Sequence, residues 1–228
     1  MSVKYTGVDN LEIIAEAKNY SNFLINETRR YSIGTTTMLD FGSGIGTFAT
    51  ALSEGGTVIC IEPDRALIKR LKEMGFEAYP DVSSIPSESI DYIYSLNVLE
   101  HIEDDLGTLR HLYQKLKPGG RIFLYVPAFD ILYSSMDRKV GHLRRYRKSR
   151  LSGLLSDAGF VKEKAVYVDS LGFLATILYK AVGNRHGDLN IKAIKVYDTV
   201  FFPASRLLDR VVGSFIGKNI MAVARKPI

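Results

Sequence analysis

Short apolar runs alternate with stretches of helical period along this chain, the pattern that a parallel sheet with crossover helices imposes. The runs predict strands at 37–41, 58–62, 77–79, 90–95 and 121–126. Helices are predicted at 46–53, 65–74 and 104–117, the last ended by Pro118-Gly119-Gly120. Ahead of the first strand, residues 11–31 place Phe23 and Leu24 at helical spacing. After residue 126 a Tyr- and Arg-rich connection leads into a short helix at 148–158, closed by Gly159, and a sixth strand at 164–168; the final strand is 219–225. About fifty residues separate the last two strands, where a hairpin would suffice. Runs at 171–182 and 193–208, rich in Leu, Ile, Tyr and Phe, read as an inserted helical cap. That cap has to cover the substrate mouth, a second subunit (a homodimer) or a membrane surface. The prediction is a doubly wound α/β fold, one domain over 1–228, with an N-terminal helix from about 8 to 31 and an insertion from about 170 to 217.

Candidate chemistry begins at residues 38–48, MLDFGSGIGTF. Gly42, Gly44 and Gly46 allow tight or left-handed backbone angles and leave the amides around Gly42, Ser43 and Gly44 open to an anionic group. Asp40, at the strand end, can accept from an ammonium. The GxGxG spacing differs from the dinucleotide GxGxxG and disfavours a dehydrogenase. Glu62, closing VICIE on the second run, falls where a ribose-binding carboxylate belongs, with two acceptor oxygens for two hydroxyls.

Read in order, KNY (18–20), LDFGSGIG (39–46), IEPD (61–64), PDVSSIP (80–86), DYIYSLNVLEHIEDD (91–105) and LKPGGRIFLYVP (116–127) resemble the class I S-adenosylmethionine-dependent methyltransferases. The nearest resemblance is to bacterial small-molecule members with a GHLRRY-type element after the fifth strand. It implies a Rossmann-like seven-stranded methyltransferase sheet, its last strand antiparallel at the edge, and S-adenosyl-L-methionine as cofactor. The N-terminal helix would act as a lid, with Tyr20 over the cofactor. Asp81 would accept from the adenine amino group and the Val82 amide would read a ring nitrogen, an Asx turn before Ser83 being the local alternative. Pro63 and Ile85 would wall the adenine or else be ordinary core. Asn97 would lie against the methionyl part through its backbone.

On the acceptor side, His101 is the histidine that the motif puts at the crevice, as a general base or, with Glu100, as support for the loop. Tyr133, Asp137, His142, Arg144, Arg145 and Tyr146 are the substrate candidates. Two adjacent arginines can clamp a phosphate or carboxylate, and Tyr146 can stack or donate; alternatively one arginine pairs with Asp137 to fix the loop. His111 reads as helix surface or core and His186 as loop. Histidines so scattered, with one cysteine, give no metal-ligand spacing, so no metal is expected.

Composition adds little beyond one basic run. The net charge is +5, and residues 138–150, RKVGHLRRYRKSR, carry seven cations and no acid, either a solvated loop or a site for an anionic partner. The expectation is in-line methyl transfer to a small-molecule acceptor, anionic or glycosylated. An RNA methyltransferase or RNA-binding protein using this run, with Tyr146 interleaved, is the alternative. It is opposed by SLNV, where amino-methylating nucleic-acid enzymes resemble a [DNS]PP[YFW] signature; a non-catalytic scaffold is a third reading. Cys60 stands alone in an apolar run, which excludes a disulfide framework and suits a reducing cytoplasm. No basic-then-apolar signal begins the chain. The longest apolar stretch, 171–179, falls short of the ~20 residues of a spanning helix and has the length of a buried one.

Overall fold

The computed structural model describes residues 16–182 and 191–228. Among them, β1 (Thr37–Phe41), β2 (Thr57–Ile61), β3 (Glu77–Tyr79), β4 (Ile90–Leu96), β5 (Leu116–Pro127), β6 (Val161–Val168) and β7 (Asn219–Arg225) form one seven-stranded sheet in the order β3-β2-β1-β4-β5-β7-β6. The order reverses between β1 and β4. The carboxyl ends of these two parallel strands therefore open onto the crevice where ligands of doubly wound sheets bind.

The helices are α1 (Lys18–Tyr31), α2 (Thr47–Leu52), α3 (Arg65–Glu73), α4 (Asp105–Lys115), α5 (Ser135–Val140), α6 (Lys148–Asp157), α7 (Ser170–Val182), α8 (Ile191–Val196) and α9 (Phe202–Val212). Strict alternation along the strands builds two cores. Met38, Cys60, Tyr92, Tyr94, Phe123 and Tyr125 pack with Leu24 of α1, Leu52 of α2 and Leu71 of α3. Leu39, Ile93, Ile122 and Leu124 face the other way, onto Leu109 and Leu112 of α4 and Leu151 and Leu155 of α6. Cys60 is a core thiol, pushed up to about 12 chiefly by burial.

Three expectations change. The antiparallel strand β7 is not at the edge: it lies between β5 and β6 and pairs with both. Its residues are buried except at the last position, as suits an interior strand, whereas β6 opens on exposed Val161, Lys162 and Glu163 and forms the edge. Pro118-Gly119-Gly120 does not end a helix but lies inside β5, beside an irregularity in the β4 register. Gly119 has φ +79°, and a Cβ on Gly120 would stand 2.9 Å from the Lys117 carbonyl and 3.0 Å from that of Asp91. Helix α7, finally, is not buried: Leu174, Ile177 and Leu178 are exposed, Leu178 to 63%. No helix among the described residues is long and apolar enough to cross a membrane.

The insertion does cover α1. Ala17, which precedes α1, has no side chain able to cap it. Asp198, in the π-helical segment Tyr197–Phe201, takes that role, accepting the amides of Asn19 (2.9 Å) and Tyr20 (2.8 Å). Phe202 packs its ring edge-on against Tyr20 and Phe23, at 5.6 and 5.8 Å between centroids, and the Arg206 guanidinium lies 3.9 Å above the Phe23 ring. The part of the predicted lid helix at 8–15, and the loop holding His186, lie outside the described residues.

Because Asp198 caps α1 from a distance, Asp198→Ala should cost about 1–2 kcal/mol in denaturant unfolding and loosen α1 in hydrogen exchange. Unchanged stability would remove the cap from the set of contacts holding α1.

Candidate active site

Three left-handed glycines, with φ +87°, +54° and +84° at Gly42, Gly44 and Gly46, turn the chain from β1 into α2. A Cβ on Gly42 would lie 2.2 Å from a Val98 methyl, so glycine here admits the loop that follows β4. The amides of this turn are not open, as expected from sequence, to an external carboxylate. Those of Gly42 and Ser43 both donate to the Ile61 carbonyl, at 2.8 and 3.0 Å, and that of Gly44 to Glu62 Oε2 at 2.9 Å. The other Glu62 oxygen accepts the Asp64 amide at 3.0 Å. Glu62 thus pins the glycine turn to the end of β2. Burial raises its pKa, and the amides of Asp64 and Gly44 oppose the rise.

Asp40 lies on the neighbouring strand, 3% exposed, and its Oδ2 makes no well-formed hydrogen bond; the buried Tyr94 hydroxyl acts on its carboxyl from nearby. Burial pushes Asp40 up to about 8, the Tyr94 hydroxyl working against this and the Glu62 charge adding to it. Asn97, just beyond β4, is held at φ +56° with its amide on the Tyr125 carbonyl (2.7 Å), and its side chain donates to the Tyr20 hydroxyl (3.3 Å). The lid residue and the post-β4 loop therefore meet. Pro63 is exposed beside Glu62, and Ile85 belongs to the core. Asp81 is exposed and makes the Asx turn, accepting the Ser83 amide at 2.7 Å, with its pKa lowered by Ser83; Val82 opens the short turn that follows.

The substrate candidates divide. Arg144 is paired with Asp105 (2.9 Å) and the Glu103 carbonyl. Arg145, 5% exposed, makes two bonds to Asp137, at 2.9 and 3.0 Å, and a third to the Ala128 carbonyl. Tyr146 is core, its hydroxyl on Asp105 and the Leu99 carbonyl. All three have internal partners, and alternation along an extended segment sends the two neighbouring arginines to different acids. Of the other cations in the run, Arg147 lies over the Phe129 ring, Lys148 bonds the Ser214 carbonyl and Arg150 reaches Asp105, while Arg138 and Lys139 are exposed on α5.

His142 stays at the site. Its Nδ1 meets Asp137 Oδ1 at 2.7 Å, its Nε2 is 3.6 Å from Glu100 Oε1, and its ring stands edge-on to His101 at 4.7 Å. Tyr133 closes this loop with its hydroxyl on the His142 carbonyl (2.7 Å). Burial would raise Asp137, but His142 and Arg145 more than offset it and hold the carboxyl well below its usual range. Burial, with the His142 charge, lowers His101 to about 4, so its imidazole is neutral at pH 7; its Nδ1 is 3.3 Å from the Gly141 carbonyl. Glu100 is fully buried and neither of its oxygens has a hydrogen-bond partner; burial raises it to about 8. The sequence named this residue only as His101's companion. Histidines scattered along the chain are thus brought together with a carboxylate, the ligand atoms of Glu100, His101 and His142 lying within 4.8 Å of one another. His111 is exposed on α4. At the amino ends of β1, β4 and β5, away from the crevice, a shallow hollow lined by Thr35, Asp91, Lys117 and Arg121 holds the Asp91–Lys117 ion pair at 2.7 Å.

A crevice at the β1/β4 reversal, floored by a glycine turn and acids on successive strand ends, defines a class I methyltransferase fold. The sequence agrees: residues 14–165 match the model of a methyltransferase domain family, and the chain belongs to that family. An S-adenosylmethionine-dependent methyltransferase structure from Thermotoga maritima superposes with a TM-score of 0.66 at 15% identity, covering 96% of this chain and 94% of the other. A ubiquinone biosynthesis O-methyltransferase of Pseudomonas paraeruginosa is 28% identical over 106 residues, 42% of this chain and 46% of the relative. An uncharacterized 37.1 kDa protein of a Streptomyces fradiae transposon is 28% identical over 158 residues, 58% of this chain and 46% of its own. The chain thus spans about half the length of these curated relatives.

Breaking the buried Arg145–Asp137 pair strands a charge, so Arg145→Ala should destabilise by about 3–5 kcal/mol. Arg144→Ala, removing a more exposed pair, should cost well under half of that. Equal, small losses in chemical denaturation would return Arg145 to the substrate candidates.

Proposed function

We propose that this chain binds S-adenosylmethionine at the β1/β4 crevice and transfers its methyl group to a small-molecule acceptor. The observation that carries the reading is Asp40: a buried carboxylate with an unpartnered oxygen, one strand from Glu62, calls for a cationic ligand group. The cofactor's ammonium fits that need. Glu62 keeps capacity for ribose hydroxyls, since each oxygen has accepted one amide and can accept again. Asp81 Oδ2, Val82 and Pro63 are the adenine-side candidates, and Asn97 and Tyr20 those beside the methionyl chain.

When bound, the cofactor supplies an already activated methyl group. What is left to the chain is to align the acceptor and to exclude water. Tyr20, tied to Asn97 and roofed by Phe202, supports the closing role of α1 with the insertion. A small acceptor suits a mouth narrowed in this way, and the ubiquinone O-methyltransferase relative is named for acting on one. With Arg144 and Arg145 engaged internally, nothing requires that acceptor to be anionic. The contacts of His101 with Gly141 and His142 favour loop support over proton removal.

Calorimetry on Glu62→Ala should show cofactor affinity reduced by ~1–3 kcal/mol, the cost of hydroxyls left unpaired in a closed site. Unchanged affinity in a variant that melts as a folded protein would sink the ribose assignment.

A further inference from the structure

Glu100, His101 and His142 each offer a ligand atom, and these atoms lie within 4.8 Å of one another. We propose that these three residues form a binding site for a divalent transition-metal ion of the zinc, cobalt or iron(II) type, on the acceptor side of the crevice.

Three observations carry the site beyond proximity. Glu100 is fully buried in the middle of the turn Leu99–His101, and both of its oxygens lack hydrogen-bond partners from other side chains. A carboxylate in that position is uncompensated unless it takes up a proton or a cation, and the nearest fixed cation, Arg145, is already committed to both oxygens of Asp137. Second, the histidine rings are held as metal-binding imidazoles are held. Nδ1 of His142 is 2.7 Å from the Asp137 carboxylate and Nδ1 of His101 is 3.3 Å from the Gly141 carbonyl, contacts that fix ring orientation and tautomer from the outer shell. His142 Nε2 consequently points to Glu100, 3.6 Å from Oε1. Third, the supporting loop is rigid. Asp137 is also bonded by the Ser134 amide and hydroxyl, at 2.9 and 3.1 Å, and the Leu143 amide donates to the Glu100 carbonyl at 2.8 Å, joining the two segments that supply the donors.

Two imidazoles and one carboxylate select a transition ion over magnesium, which prefers an all-oxygen shell. Metal–nitrogen bonds of ~2.0–2.1 Å require the donors to draw together by about an ångström, within reach of side-chain rotation. Three protein ligands leave a coordination position for water or for an oxygen of the acceptor. The site is independent of the cofactor reading, whose carboxylates Asp40 and Glu62 lie at β1 and β2.

The test uses the full chain, stripped with EDTA, titrated with Zn(II) in a calorimeter and with Co(II) in the visible spectrum. One equivalent should bind, with d–d bands of a low-coordinate Co(II) centre. Glu100→Gln and His142→Gln should each weaken binding at least tenfold and remove those bands, while His111→Gln leaves both unchanged. Circular dichroism identifies any variant that does not fold; since Glu100→Gln only replaces a buried, unpaired carboxyl by its isostere, it carries the test if His142→Gln fails. Absence of stoichiometric binding, or binding that survives in folded Glu100→Gln, overturns the site; in the latter case Glu100 is simply a protonated partner of His142. Cofactor affinity, measured on the same samples, reports separately on the crevice.

Discussion

Two carboxylates buried where parallel strands end, Asp40 with one oxygen short of a hydrogen bond and Glu100 with both, set the terms for this crevice. Asp40 closes β1 and Glu100 follows β4, on either side of the point where strand order reverses. Desolvation lifts both to about 8, because the donors near them are too few to offset burial. Around them Gly42 lets Val98 close down beside the turn, and Glu62 takes the amides that hold the turn in place. A sheet with its carboxyl ends aligned gathers these acids at one edge, and the sequence chooses to leave two of them unsatisfied.

Other buried acids provide the contrast. Asp137 binds Arg145, His142 and Ser134; Asp105 binds Arg144, Tyr146 and Arg150; Asp198 and Asp209 cap the starts of α1 and α7. Each is surrounded by donors of this chain and needs nothing from outside. Burial alone therefore does not separate structural from functional acids here; the completeness of the donor set does. By this criterion Arg144, Arg145 and Arg150 are architecture, since they answer Asp105 of α4 and Asp137 within the connection after β5.

Local features were legible in the sequence. The bounds of β1, β3 and β7, the glycine turn and Glu62 follow from alternation and from spacing within a few residues. What pattern could not give was pairing at a distance. Arg144 looked free because Asp105 lies 39 residues away, whereas the Asp137 partner that the sequence offered to one arginine is the one Arg145 takes. Asp198 caps a helix 179 residues distant and leaves no local mark. The position of β7 inside the sheet depends on β6 joining its far side, and the His101–His142 pairing on two connections packed together. The continuous apolar run of β7 was the one available hint that it was not an edge.

The central claim is that Asp40 stays protonated at neutral pH in the ligand-free protein and ionises when an ammonium arrives. A folded-state pKa raised to about 8 means that, between an unfolded carboxyl's ordinary range and pH 8, the native state holds a proton that the unfolded state has lost. Asp40 therefore takes stability away as pH rises through that window, and a cation that lowers its pKa restores it. Calorimetric binding of S-adenosylmethionine at pH 7, repeated in buffers of different ionisation heat, counts the protons involved. Release of close to one proton, abolished in Asp40→Asn, is the predicted result; binding with no proton release in the wild-type protein would contradict the assignment of Asp40 to the cofactor's ammonium.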